Sequence, residues 1–319
     1  MAQIPVTLLT GYLGAGKTTL LNRILSEQHG KKYAVIVNEF GEIGIDEGLV
    51  IKTDEEIFEM NNGCICCTVR GDLIRIIGNL MKSSERFEGL LIETTGLADP
   101  APVIQTFFVD DEVRERMQVD AVVTMIDAVH FLAQVEDSHE AEEQVAFADV
   151  ILINKVDLIS PEQRQAVEDK VRSLNRFAKI HHTVRAGLDL GEILQRGAFD
   201  LDRILEIEPD FLEDVAHEHD STVTSVSLRS DQPLDEDRFF AWIQQLLRTR
   251  GTEIFRTKGI LALAGQPERF VFQAVHMLAD STWGTLWQPG EKRESRLVLI
   301  GRNLSEAELE RDFAACRAV

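Results

Sequence analysis

The sequence is short of cysteine and of long apolar runs. Four cysteines in 319 residues are too few for a disulfide framework, and three of them crowd into Cys64, Cys66 and Cys67, which indicates a reducing compartment. No run approaches the roughly 18 consecutive apolar residues of a membrane span. The first residues carry no positive charge and lead into an apolar stretch, so we expect a strand there instead of a signal peptide, and a cytoplasmic location.

Basic residues are also scarce. The chain has 33 Lys and Arg against 54 Asp and Glu, which gives a formal net charge of −21. Binding to a nucleic-acid backbone comes mainly from Lys and Arg that neutralise phosphates, so this balance argues against a nucleic acid as partner. The chain is otherwise ordinary, with 44% hydrophobic and 27% charged residues, and its length predicts a pair of globular domains.

Short apolar runs alternate with helical patterns from Ile4 to about His182. The helical patterns include Thr18–His29 and Val69–Met81, and a further helix begins at Ser160 with an N-cap, a first-turn proline and a capping-box glutamine, Gln163. This alternation predicts an α/β fold with a doubly wound, mainly parallel sheet. The runs read as strands buried on both faces, at Pro5–Leu9, Tyr33–Val37, Gly89–Ile92, Ala121–Ile126 and Val150–Ile153.

The pattern changes after this region. We predict a first domain over residues 1–206, an acidic linker over 207–221 and a smaller C-terminal α+β domain over 222–319. The order expected in the second domain is β-α-β-β-β-α. Its helices are predicted at Asp235–Arg250 and after Ser305, and its strands at Thr222–Leu228, Ile254–Ala264, Arg269–His276 and Arg296–Gly301.

The segment from Gly11 to Thr18, GYLGAGKT, satisfies G-x-x-x-x-G-K-[ST] between a predicted strand and a predicted helix. In such a loop, backbone N–H groups surround phosphate oxygens, so we predict a nucleoside triphosphate site. Lys17 would neutralise the β- and γ-phosphates as a catalytic residue, and the Thr18 hydroxyl would bind Mg²⁺. The predicted nucleotide contacts here are Gly11, Gly14, Ala15, Gly16, Lys17, Thr18 and Thr19.

Asn154-Lys155-Val156-Asp157 follows another apolar strand and points to the base. The Asp157 carboxylate can accept from guanine N1–H and N2–H₂ together, a donor pair that adenine lacks, and the Lys155 stem can cover the ring. GTP is therefore favoured over ATP, which disfavours an ATP-dependent kinase. The stretch His182–Gly187 either adds backbone contacts to guanine or is a plain loop.

Leu90–Glu93 is an apolar strand that ends in a carboxylate and continues into Thr94-Thr95-Gly96. In phosphate-loop proteins the acid at this strand end holds Mg²⁺, directly or through water, so Glu93 is predicted as a metal ligand and a catalytic residue, with the Gly96 N–H near the γ-phosphate. The alternative is a solvent-facing carboxylate at the edge of the sheet.

Cys64-Ile65-Cys66-Cys67 follows the turn Asn61-Asn62-Gly63. Three thiolates can supply three corners of a tetrahedral Zn²⁺ site. A redox pair formed by Cys64 and Cys67, or inert packing, are the alternatives. Glu39 and Glu42 lie in a Gly-rich acidic loop, Asn38–Asp46, and either face one of the two metals or are solvated.

These segments together resemble the CobW/YjiA-like phosphate-loop GTPases, relatives of the accessory GTPases that insert nickel into hydrogenase and urease, and most of all their compact type, which lacks a His-rich insertion. The segments that carry the resemblance are Gly11–Thr18, Asn38–Glu42, Gly63–Cys67, Glu93–Pro100 and Asn154–Asp157, with a β-rich tail.

The resemblance implies a GTP-dependent metallochaperone that uses GTP and Mg²⁺ and carries Zn²⁺, or Co²⁺ or Ni²⁺, to a client metalloprotein. Cys64, Cys66 and Cys67 would be the metal ligands, and Glu39 and Glu42 would lie near Mg²⁺ or the transferred metal. No glutamine or arginine is identifiable as a catalytic finger, so slow GTP turnover to GDP is expected. A nucleotide-dependent metal or redox sensor that delivers no metal is the alternative function.

Overall fold

The computed structural model describes residues 3–27, 32–38, 57–60, 68–82, 87–195, 197, 223–288 and 290–318. The described residues fall into two compact units. One lies within Met1–Val171 and Ala178–Phe199, and the other within Arg172–Phe177 and Asp200–Val319. In the described part of the chain, no helix combines the length and the apolar character that a membrane crossing requires.

The first unit is built on a parallel sheet. Its strands are β1 Ile4–Gly11, β2 Tyr33–Asn38, β3 Ile57–Met60, β4 Gly89–Glu93, β5 Met117–Asp127, β6 Val150–Asn154 and β7 Lys179–Thr183. Its helices are α1 Lys17–Ser26, α2 Thr68–Lys82, α3 Ala101–Val109, α4 Asp111–Arg116, α5 Phe131–Asp137, α6 His139–Phe147 and α7 Pro161–Leu174, of which the end from Arg172 onward is assigned to the second unit. Among the described residues, the seven strands pair in parallel in the order β3-β2-β4-β1-β5-β6-β7, which confirms the predicted fold class.

Local sequence signals explain several of these boundaries. Every residue of β4 and β6 is buried, as their apolar runs predicted. The capping box of α7 is confirmed: the Gln163 side chain accepts from the Ser160 N–H at 2.9 Å, and the Gln163 N–H donates to the Ser160 hydroxyl at 3.3 Å. Helix α1 is shorter than expected, because the backbone at Glu27 is already extended.

The strand register sets the position of the site. Leu9 of β1 pairs with Glu93 of β4, Asp127 of β5 pairs with Asn154 of β6, and Asn154 pairs with Thr183 of β7. Since all these strands run in the same direction, their polar last residues lie along one edge of the sheet. In open parallel sheets this carboxyl edge is where ligands bind.

The second unit is an antiparallel sheet with two helices. Its elements are β8 Val223–Ser230, α8 Glu236–Arg250, β9 Ile254–Leu261, β10 Glu268–Val275, β11 Leu278–Leu286, β12 Ser295–Arg302 and α9 Glu306–Ala314. Within the described residues, its five strands lie in the order β11-β10-β9-β12-β8. The Asp235 side chain caps α8 by accepting from the Arg238 N–H, whereas Ser305, at the N-cap of α9, makes no side-chain capping hydrogen bond.

Strand β11 corrects the predicted element order, which becomes β-α-β-β-β-β-α. Its sequence gave no strand signal, because most of its residues are exposed and apolar residues do not alternate along it. Only His276 and Met277 separate it from β10, and His276 takes the positive φ of 52° that so short a turn requires. The formation of β11 therefore depends on its pairing with β10 and not on a strand pattern in its own sequence.

An aromatic cluster fills the core of the second unit. Phe239 is fully buried on α8, and its ring meets that of Phe272 on β10 edge-to-face, with the centroids 5.5 Å apart. Phe240 and Trp242 also contact Phe239, at 5.8 and 6.0 Å. Such packing contributes both buried apolar area and favourable ring geometry.

We expect Phe239→Ala to destabilise the second unit by about 3–5 kcal/mol, because the truncation leaves a cavity in this cluster. Urea unfolding followed by tryptophan fluorescence reports on this unit alone, since all three tryptophans, at 242, 283 and 287, lie in it. Leu286→Ala, at an exposed position of β11, is the control and should change stability by no more than about 0.5 kcal/mol. Similar losses for the two variants would contradict this description of the core.

Candidate nucleotide site

The loop between β1 and α1 has the backbone that phosphate binding requires. Gly11, Gly14 and Gly16 all have positive φ, at 136°, 76° and 110°. A Cβ on Gly11 would lie 2.3 Å from the Met125 carbonyl oxygen, so this position also needs glycine for space. The buried Lys17 ammonium donates to the Gly11 carbonyl oxygen at 2.7 Å, which holds the cation inside the loop.

Thr18 and Glu93, predicted as ligands of one metal, lie together. The Thr18 hydroxyl donates to Glu93 Oε1 at 3.3 Å, although the two residues are 75 positions apart. Glu93 is only 6% exposed, so it is not the solvent-facing carboxylate that the alternative interpretation required. A hydroxyl and a buried carboxylate this close form a donor set that suits a hard cation such as Mg²⁺.

Asn154 connects two loops of the site. Its buried side-chain amide donates to the Ala15 carbonyl oxygen of the phosphate loop at 3.0 Å. Its side-chain oxygen accepts from the Thr183 hydroxyl at 3.1 Å and from the Ala186 N–H at 3.0 Å. The segment after β7 is therefore fixed against the phosphate loop through a single side chain.

The segment after β7 adopts an unusual backbone. Arg185 and Ala186 both have positive φ, at 49° and 56°, a conformation uncommon outside glycine. Arg23 of α1 donates from Nη1 to the Ala186 carbonyl oxygen at 2.6 Å, and so holds this segment from the phosphate-loop helix. Nothing in the sequence marked Arg23, because its partner is 163 residues away.

Lys155 is held by an ion pair that the sequence reading missed. It has a positive φ of 64°, and its ammonium donates to Asp127 Oδ2 at 2.7 Å. Burial raises the pKa of Asp127, but hydrogen bonds from Lys155, His130 and the Val129 N–H outweigh it, so the pKa lies below its usual value. Asp127 ends an apolar strand as Glu93 does, and this position at a strand end is the sequence feature that could have identified it as a site residue. Asp157 is exposed and follows Lys155 in a short 3₁₀ turn.

Gly96 packs directly on the phosphate loop. A Cβ there would lie 2.6 Å from the Leu13 nitrogen, so only glycine allows this approach. Ala15 is buried and donates its N–H to the Tyr12 carbonyl oxygen at 3.2 Å, while Thr19 is exposed in the first turn of α1. The structure thus brings the loop after β4 and the phosphate loop into contact.

The predicted transition-metal ligands lie outside the described residues. These are Cys64, Cys66 and Cys67 together with Glu39 and Glu42. In the ranges that the structure describes, there is no group of three or more His, Cys, Asp or Glu side chains arranged to hold a metal ion. Cys316, the cysteine within those ranges, is buried, and burial raises the pKa of its thiol to about 11.

Comparison with known proteins agrees with this geometry. Residues 5–182 match the sequence profile described as CobW/HypB/UreG, nucleotide-binding domain, and residues 223–317 match the C-terminal domain of the cobalamin synthesis protein CobW. The first match covers more than half of the chain. The chain belongs to the CobW/HypB/UreG family. This confirms the resemblance that the sequence motifs indicated.

Two relatives and one solved structure are similar over nearly the whole chain. The zinc chaperone YjiA of Escherichia coli strain K12 is 37% identical over 322 residues, which cover 99% of this chain and 100% of YjiA. The zinc chaperone CobW of Sinorhizobium sp is 34% identical over 358 residues, with coverage of 99% and 96%. The crystal structure of Zn(II)-bound YjiA GTPase from E. coli matches with a TM-score of 0.80 at 34% identity, over 100% of both chains.

For this CobW/HypB/UreG protein we expect Gly16→Ala to weaken binding of a fluorescent GDP analogue at least about 100-fold, because its Cβ would lie 2.7 Å from Asn154 Nδ2. Gly14→Ala is the matched control: φ is also positive there, but nothing lies within 4 Å of the new Cβ. Its cost is backbone strain of about 1–2 kcal/mol, or roughly tenfold in affinity. Equal losses would show that the contact between Gly16 and Asn154 has no special role.

Proposed function

We propose that this GTPase is a metal chaperone, which binds Zn²⁺ as its cargo in one nucleotide state and delivers it to a client metalloprotein in the other. The nucleotide half of this proposal is supported by the site at the carboxyl edge of the first sheet. The metal half is supported by the Cys64-Ile65-Cys66-Cys67 motif and by the relatives named zinc chaperones.

The observation that carries the proposal is the buried bridge at Asn154 between the phosphate loop and the segment after β7. A site of this kind senses the phosphates and the base together. Asp157 follows Asn154 by three residues, and its carboxylate would select guanine by accepting from N1–H and N2–H₂. Recognition of the base by Asp157 would therefore favour GTP over ATP.

The proposal assigns a role to each residue on the phosphate side of the site. The N–H groups of Gly14 and Gly16 would donate to phosphate oxygens, and Lys17 would neutralise the charge that develops there. Thr18 and Glu93 would hold Mg²⁺, which, when bound, neutralises the β- and γ-phosphates. Slow intrinsic turnover is expected, because none of the nucleotide motifs in the sequence supplies a catalytic arginine or glutamine.

On the metal side, the thiolates of Cys64, Cys66 and Cys67 would bind the cargo ion, with Glu39 and Glu42 as nearby carboxylates. Three thiolates favour Zn²⁺, and they also accept Co²⁺ or Ni²⁺, so that selection depends on metal supply as well as on the site. If GTP raises the affinity for the metal, the metal must raise the affinity for GTP by the same factor. Hydrolysis would then lower the affinity and release the metal to the client.

Base selection is tested with Asp157→Asn. We expect its affinity for GDP to fall at least about 100-fold, because the paired acceptor is lost, and its affinity for xanthosine diphosphate to rise, because an amide N–H can donate to the xanthine C2 oxygen. Binding of fluorescent analogues measures both constants. Asp169→Asn, at an exposed carboxylate of α7, should leave both affinities unchanged. Unaltered preference for guanine in Asp157→Asn would contradict this assignment.

Metal coupling is tested by a chelator-competition titration of Zn²⁺ with wild type and Cys66→Ala, each with GDP or with a non-hydrolysable GTP analogue. We expect the GTP analogue to tighten Zn²⁺ binding by wild type by about 5–150-fold, the usual range of such couplings. Cys66→Ala should bind Zn²⁺ weakly in both states. Cys316→Ala is the control, because burial keeps that thiol protonated.

Equal Zn²⁺ affinities of wild type in the two nucleotide states would reject the coupling. Transfer to an apo-metalloenzyme that proceeds without GTP hydrolysis, or a Cys64–Cys67 disulfide that forms under mild oxidant, would favour the sensor function instead.

A further inference from the structure

Gln144 is a buried polar side chain of α6 that belongs to none of the nucleotide motifs. It is 1% exposed, and its Nε2 donates to the Gly96 carbonyl oxygen at 3.1 Å and to the Ala98 carbonyl oxygen at 3.2 Å. Two acceptors on one side fix the orientation of the amide, because only its NH₂ group can donate twice. Both hydrogen bonds end on the loop that follows β4.

The helix that carries Gln144 is fixed to the sheet at the same residue. The Thr124 hydroxyl, buried on β5, donates to the Gln144 carbonyl oxygen at 2.7 Å. Strand β5 pairs with β1, which leads into the phosphate loop. The backbone of Gln144 is therefore hydrogen-bonded to the strand next to β1, which leads into the phosphate loop.

On its other side the loop after β4 is equally confined. Gly96 approaches Leu13 of the phosphate loop so closely that a Cβ would contact its backbone nitrogen at 2.6 Å. The Thr94 N–H donates to the Leu9 carbonyl oxygen at 3.0 Å, which fixes the start of the loop on β1. The segment from Glu93 to Ala98 is thus held between the phosphate loop and Gln144.

We infer that Gln144 is a positioning residue for recognition of the γ-phosphate, acting by holding the Gly96 segment against the phosphate loop. The inference rests on the proposed function, in which the Gly96 N–H lies near the γ-phosphate. Since GDP lacks that phosphate, the two hydrogen bonds of Gln144 stabilise the GTP complex and leave GDP binding almost unaffected. Without them, the buried carbonyl group of Gly96 and the partly buried one of Ala98 lose this donor, and the loop shifts to find another.

The test compares Gln144→Leu with wild type in titrations of fluorescent GDP and of a fluorescent, non-hydrolysable GTP analogue, both with Mg²⁺. We expect the dissociation constant for GDP to stay within about threefold of wild type, and that for the GTP analogue to rise about tenfold or more, equivalent to about one lost hydrogen bond. Gln165→Leu, at an exposed glutamine of α7, is the matched control and should change neither constant.

Thr124→Val is a second variant for the case that Gln144→Leu does not fold. It preserves the shape of a buried strand residue and removes only the hydroxyl that supports Gln144, so the ratio of the two constants should shift in the same direction, by less. A ratio unchanged from wild type, or equal losses for both nucleotides, would overturn the role of Gln144. Failure of wild type to bind either guanine nucleotide would instead overturn the proposed function itself.

Discussion

The nucleotide site depends on the buried side-chain amide of Asn154. A buried amide must place all its donors and acceptors, and each one left without a partner costs about 1–3 kcal/mol. Here the partners are Ala15 in the phosphate loop, Thr183 at the end of β7 and Ala186 in the segment after β7. Neither loop can move alone without breaking a hydrogen bond in a place that water does not reach. The phosphate loop and the segment after β7 are consequently linked through one buried side chain.

The parallel sheet explains why distant motifs meet. Glu93, Asp127, Asn154 and Thr183 each end a strand, and because the strands run in the same direction these polar residues share one edge. Buried apolar strands hold this edge in place, and their polar last residues form part of the candidate nucleotide site. Charges at this edge are balanced locally, as Asp127 shows: it is nearly inaccessible, yet it keeps its carboxylate ionised through Lys155 and His130.

The second unit differs from the first in the type of its sheet and in the aromatic side chains of its core. Its sheet is antiparallel, and the aromatic cluster around Phe239 fills the space between α8 and the sheet. At the edge of this sheet, β11 exposes Trp283, whose ring meets that of Phe270 at 5.0 Å. Each unit therefore has a hydrophobic core of its own, and the residues of the candidate nucleotide site all lie within the first.

The sequence alone determined the local features: the glycine pattern of the phosphate loop, the capping box of Ser160 and Gln163, and the alternation that predicts a parallel α/β sheet. These signals are short-range, since glycine positions, helix caps and apolar runs are all read from residues that lie close together in the sequence. The tertiary structure alone decided that Gln144 reaches Gly96, that Arg23 reaches Ala186 and that β11 pairs with β10. The two hydrogen-bonded pairs are 48 and 163 residues apart, and a hydrogen bond between such distant groups leaves no periodic pattern in the chain. Strand β11 lies close to β10 in sequence, but its exposed faces lack the apolar alternation that marks a strand, so only its pairing reveals it.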